Sequence, residues 1–239
     1  MGRLDGRVAL VAGGAGNVGE GIVRGLLRQG ARVVVPSRGA EKGEQLRGLL
    51  GGLAARLVTL VGNVTDAESA ARLRDEVLSR EGRLDAVAVA VGGWWQGPPL
   101  VEVPMEAWDQ ILRNNLLSHV VVARTLLPVL TRQGHGVYTM IGGNAAGDPV
   151  PGSSLACVAA AAQLMMARML MAESKGSGVR INEVVIGTPV ITRGRAEGRP
   201  EWLTADEVGD FVAWLSSDDA RMVNGVIDLP ERPPLRDTR

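Results

Sequence analysis

The first residues able to do chemistry stand where the apolar run 8–12 (Val-Ala-Leu-Val-Ala) passes into Gly13-Gly14-Ala15-Gly16-Asn17-Val18-Gly19. A strand-like run, then glycines, then a helix start lets backbone N–H groups approach a pyrophosphate, because glycine allows both the tight turn and the close contact. Gly13, Gly16, Asn17, Val18 and Gly19 are therefore the candidate phosphate contacts. The second apolar run ends in Val35-Pro36-Ser37-Arg38. An acidic residue here would bind a ribose 2′-hydroxyl, whereas an arginine pairs with a 2′-phosphate, so Ser37 and Arg38 point to NADP(H) over NAD(H). A tight turn and a solvated arginine are the plain alternatives.

Holding such groups requires strands that all end at one edge, and the rest of the chain supplies them. Short apolar runs at 8–12, 32–35, 57–61, 86–91, 137–141, 179–186 and 226–229 alternate with amphipathic stretches at 18–28, 41–50, 66–79, 105–130, 155–173 and 204–216. That alternation predicts βαβ units and an α/β, doubly wound parallel sheet of about seven strands with helices on both faces. Thr204-Ala205-Asp206-Glu207 has the pattern of a capping box. No linker divides the 239 residues, so one domain over 1–230 is expected. The stretch 194–200 reads as a mobile loop and 231–239 as a C-terminal tail.

Composition excludes several functions. Lys plus Arg and Asp plus Glu are both 26, so no basic surplus suggests nucleic acid as a partner. One cysteine, Cys157, forms no internal disulfide, and two histidines make no zinc cluster; no metal site is expected. No apolar run approaches about 18 residues and the opening residues lack an apolar signal segment, so the expectation is a cytoplasmic protein without a membrane partner.

Taken together, the order of elements over 5–229 resembles the short-chain dehydrogenase/reductase family. The resemblance rests on the glycine turn, Asn63-Val64-Thr65-Asp66, Leu84-Asp85 with Gly92-Gly93, Trp108-Asp109 leading to Asn115, Arg180-Ile181-Asn182, and Gly187-Thr188. It implies a Rossmann fold, with Asn63 and Val64 near an adenine, and Gly92, Gly187 and Thr188 near a nicotinamide. It also implies a substrate cleft bordered by Trp94, Trp95, Asn144 and Asp148.

The same resemblance exposes departures. The family's catalytic serine, tyrosine and lysine fall at Gly143, Ala156 and Ala160, and only Asn115 of the catalytic set is retained. A placed general acid is worth about 10²- to 10⁴-fold in rate, so its loss predicts a weak reductase at best. The two missing ribose contacts lower the expected cofactor affinity. Candidate substitutes are His119, four residues after Asn115, and Ser154; Ser153 and Ser154 also suit a helix cap. The sole tyrosine, Tyr138, lies an odd number of strand positions before Gly143 and reads as packing. The apolar run 156–171 suits a helix buried against a second copy, so a homodimer or homotetramer is implied. The reading is an NADP(H)-binding relative with its hydride-transfer site dismantled, either a pseudoenzyme or a non-redox catalyst acting on a small molecule. Two alternatives stay open: an atypical oxidoreductase taking its proton from substrate, water, His119 or Ser154, and a regulatory subunit paired with an active paralogue.

Overall fold

A computed structural model describes residues 2–230, so the predicted tail at 231–239 lies outside the described residues. Seven strands, β1 (Val8–Ala12), β2 (Arg32–Ser37), β3 (Leu57–Val61), β4 (Ala86–Val89), β5 (Gly136–Gly143), β6 (Val179–Ile186) and β7 (Gly225–Leu229), form one sheet. Their order is β3-β2-β1-β4-β5-β6-β7 and every pair is parallel. The order reverses between β1 and β4, and at such a switch point the connections diverge to opposite faces and leave a crevice at the strands' carboxyl ends.

The central strands read as unbroken apolar runs because both faces are covered. In β1, Ala9 and Val11 enter one core cluster while Val8, Leu10 and Ala12 enter the other. The helices are α1 (Asn17–Arg28), α2 (Ala40–Leu50), α3 (Ala67–Glu81), α4 (Met105–Leu112), α5 (Ser118–Gln133), α6 (Ser154–Glu173) and α7 (Ala205–Leu215). Two of them touch backbone to backbone: a Cβ at Gly209 of α7 would collide with Gly21 O of α1, and one at Gly25 with Gly209. The predicted capping box is present, with Thr204 Oγ1 accepting from the Glu207 N–H and the Glu207 carboxylate accepting from the Thr204 N–H.

Three expectations need correction. The stretch 105–130 is not one α-helix: a π-turn at Arg113–Leu117 separates α4 from α5. The serines preceding the missing tyrosine do not cap by side chain; Ser153 occupies the N-cap of α6 with no such bond, and its Oγ and that of Ser154 are buried without a partner. By length and composition α6 is apolar enough to cross a membrane, with a mean hydropathy of 1.7 over its best window. Here it is a crossover helix, with Leu155, Ala156, Ala159, Gln163 and Ala167 buried, Met166, Leu170 and Met171 packed part-buried against the core, and Val158, Met165 and Met169 exposed.

Candidate functional site

A cleft of about 620 Å³ opens along the carboxyl ends of the strands on both sides of the switch point. Its first wall is the glycine turn. Gly14 N–H donates to Val11 O (3.2 Å) and Gly16 N–H to Gly13 O (2.9 Å), closing the loop onto α1. Gly13 has φ +82°, and a Cβ there would collide with Ala90 O; a Cβ at Gly19 would collide with Gly13 O. Only glycine fits either position. Gly16 caps α1 without a side-chain bond, and the first intrahelical bond runs from Glu20 N–H to Gly16 O. The N–H groups of Asn17, Val18 and Gly19 are thus the first-turn amides, which a helix cannot satisfy from within. Such a turn fits an anionic diphosphate.

The second wall comes from the exit of β2. Ser37 is buried, and its hydroxyl donates to Gly39 O at 2.9 Å. Arg38 lines the cleft from an exposed position, and Lys42 lines it too, from the first turn of α2. Lys42 was missed in the sequence reading. The available signal was a second cation four residues after Arg38, in the helix start that follows the exit of β2.

Beyond β3, Asn63 and Val64 lie in the cleft as expected. Asn63 Oδ1 accepts from both Thr65 N–H (3.1 Å) and Thr65 Oγ1 (2.8 Å), and the Asn63 N–H donates to Ser69 Oγ (2.8 Å). This Asx turn uses the side-chain oxygen and leaves Nδ2 as the donor for a ligand.

The remaining wall is built where β4 ends. Gly92 has φ +110°, and a Cβ there would press within 3.2 Å of the Asn115 amide carbon. Asn115, in the π-turn, accepts from Gly93 N–H (3.1 Å) and donates Nδ2–H to Gly93 O (2.6 Å). Trp94 and Trp95 follow directly and also line the cleft, as do Gln110, Ile111 and Asn114 on the helical side.

Other predicted residues are not in these walls. Gly187 donates its N–H to Leu229 O (3.0 Å), Thr188 Oγ1 is buried without a partner, and Asn144 and Asp148 stand exposed on the loop after β5. His119 is correctly placed near Asn115 in sequence but not in the cleft. It is fully buried and bonds through Nε2 to Val91 O at 3.1 Å, and burial drops its pKa to about 4. A neutral imidazole shut away from ligand does not relay protons. Tyr138 is likewise buried, its phenol held protonated by desolvation and by Glu183 nearby.

Gly143 is the last residue of β5, and Ala156 and Ala160 lie in α6. A Cβ at Gly143 would meet only Ile186 O, at 3.7 Å, so there is room for a larger side chain. Ala156 and Ala160 are one turn apart, and Gln163 continues the same stripe. Gln163 Nε2 donates to Ile141 O (3.1 Å) and to Glu183 Oε1 (2.9 Å). Glu183 was not a sequence candidate. Its second oxygen is buried unpaired, desolvation raises its pKa to about 7, and its Oε1 occupies the space a Cβ at Gly142 would need.

The reversed strand order, the glycine turn at its switch point and the cations beside it define a Rossmann-type dinucleotide fold. The chain belongs to the short-chain dehydrogenase family, whose profile, described as short chain dehydrogenase, matches residues 7–200. It is 30% identical over 240 residues to 4-formylbenzenesulfonate dehydrogenase of Comamonas testosteroni, covering 93% of this chain and 95% of that protein. It is 29% identical over 239 residues to D-threitol dehydrogenase of Mycolicibacterium smegmatis, covering 93% and 90%. In fold it matches the structure of ElxO with NADP bound, at a TM-score of 0.87 and 18% identity over 94% of this chain and 97% of that one.

Proposed function

We propose that this protein binds NADP(H) in the cleft and that the family's usual proton-transfer machinery is replaced by Gly143, Ala156 and Ala160. The observation that carries this is a contrast between the cleft and the helix α6. The glycine turn, Arg38 and Lys42 line the cleft and offer donors and charge for a diphosphate and a 2′-phosphate, while α6 has alanine at 156 and 160 and neither tyrosine nor lysine anywhere along it. When bound, NADPH would supply a hydride. Gly13, Gly16 and the first-turn amides would hold its diphosphate, Arg38 and Lys42 its 2′-phosphate, and the Asn63 amide its adenine. With no tyrosine or lysine on α6, no phenol there would deliver a proton to a carbonyl oxygen and no ammonium would grip the nicotinamide ribose.

The test is a titration with NADPH and NADH followed by a carbonyl panel. NADPH binding tighter than NADH with no turnover supports the reading. Robust NADPH-dependent reduction abolished by Gly13→Asp would falsify it. An atypical oxidoreductase keeps one specific support, the unpartnered Ser154 hydroxyl; it predicts turnover that Ser154→Ala removes without changing NADPH affinity.

The reading includes self-association. Val158, Met165 and Met169 are exposed along α6, and an apolar groove of about 480 Å³ runs between α5 and α6, lined by Leu127, Met166 and Leu170. A second copy would cover this face, giving a dimer or tetramer. A partnership with an active paralogue would use the same face.

A further inference from the structure

We propose that Trp94 is a stacking platform for a flat, uncharged aromatic ring, and that the ligand turned over or sensed in this cleft carries one. The inference shares its cleft with the cofactor reading above and extends it to the second ligand. Trp94 is 55% exposed. An indole left open on a cleft wall is an unusual use of a large apolar surface, and its π face favours offset stacking on another ring. Among the described residues the aromatic ring pair is Phe211–Trp214, so no protein ring covers Trp94.

The neighbouring indole behaves differently. Trp95 is half-buried, and its six-membered ring fills the space a Cβ at Gly97 would need. Gly97 N–H in turn donates to Gly152 O (2.9 Å), on the loop leading into α6. Trp95 is therefore folded onto its own backbone at Gly97, which is itself tied to that loop, and Trp94 is the ring left for a ligand. The backbone carrying both is held in advance, since Asn115 occupies the N–H and the C=O of Gly93. A platform fixed before binding loses little entropy when a ring settles on it.

The chemistry of the ring follows from what shares its part of the cleft. The cations lining the cleft, Arg38 and Lys42, come from the exit of β2 and from α2, whereas the segment after β4 contributes Gly92 and Gly93, and α4 with the π-turn contributes Gln110 and Asn114. Neutral amides beside an indole suit an uncharged ring bearing a carbonyl or a heteroatom that accepts a hydrogen bond.

The experiment compares 1-acetylnaphthalene with its fully saturated decahydro analogue, titrated calorimetrically against wild type, Trp94→Ala and Trp94→Phe, with and without NADPH. Wild type should prefer the aromatic ketone by roughly three- to tenfold, the range expected of one ring pair. Trp94→Ala should remove the preference and Trp94→Phe should restore part of it. Equal binding of both ketones by wild type, or an unchanged preference in Trp94→Ala, overturns the inference. So does a loss of NADPH affinity in Trp94→Ala as large as the loss for the ketone, since the platform would then serve the cofactor. A wild type that binds no NADPH yet shows a Trp94-dependent preference supports this inference while defeating the cofactor reading.

Discussion

Asn115 grips Gly93 by both ends of its side-chain amide, accepting from the N–H and donating to the C=O of one residue. This two-way bond fixes the chain where β4 gives way to Trp94 and Trp95. Asn115→Ala should cost about 1–2 kcal/mol of stability and loosen both indoles, seen as faster decay of tryptophan fluorescence anisotropy. Asn115→Asp keeps the acceptor and loses the donor, so its effect should be intermediate.

Charge at the β2 exit should decide between cofactors. Arg38→Ala and Lys42→Ala should each weaken NADPH binding by roughly tenfold or more, as loss of a hydrogen bond to a charged group does, and leave NADH within about twofold. Calorimetry at two salt concentrations checks this, since the discrimination should shrink as salt screens the exposed cations. Equal losses for both cofactors would assign these residues to the diphosphate instead.

Two buried groups should mask each other in the pH dependence of stability. Glu183 has its pKa raised from 4.5 to about 7, so the folded state holds a proton the unfolded state releases, and stability falls as pH rises across that window. His119 has its pKa lowered from 6.5 to about 4, so stability falls as pH drops across its window. Between about pH 4.5 and 6.5 the two slopes oppose and wild type should show a plateau. Glu183→Gln should tilt the plateau upward with pH and add up to about 3 kcal/mol at pH 8. His119→Asn should tilt it the other way. Urea unfolding at a series of pH values reads both tilts, and parallel profiles for all three proteins would refute the assignment.

Glycine at the α1–α7 contact should be irreplaceable, and glycine at an open helical position should not. Gly209→Ala drives a methyl into Gly21 O and should cost on the order of 2–3 kcal/mol. Gly48→Ala, in the last turn of α2 with nothing near its Cβ, should stabilise by about 0.5–1 kcal/mol. Thermal unfolding of the two variants side by side is the check.

The outward face of α6 should govern assembly. Met165→Glu combined with Met169→Glu should yield a smaller particle in sedimentation velocity while preserving NADPH affinity. Unchanged sedimentation would move any self-association elsewhere.

Strand positions were legible because buried parallel strands leave short apolar runs; β1, β3 and β6 coincide with the predicted 8–12, 57–61 and 179–186. The phosphate turn was legible because its glycines answer to backbone collisions that only glycine avoids. The π-turn was not, since the apolar pattern runs on through 105–130 and one extra residue per turn changes its phase without leaving a break. Nor was the burial of His119, because position on a helix says where a side chain points only once the neighbouring strand exit is known. Glu183 escaped notice because its partner Gln163 is 20 residues away on another element, and a charge within an apolar run gives no sign of what will face it.

The π-turn also carries a consequence for how this chain can change. From Met105 to Gln133 the backbone is one continuous rod, and the wide turn at Arg113–Leu117 takes up one residue within it. Deleting one position between 113 and 117 should therefore close the turn into plain α-helix and leave Gln110 and Ile111 on the cleft, with Val122 and Leu126 still in the core. What it would withdraw is the Asn115 amide from Gly93. A deletion elsewhere in the rod, with no wide turn to absorb it, would rotate α4 against α5 by about 100°. The turn is thus the one place in this rod where a change of length touches the grip on the indole segment before it touches the register of the helices.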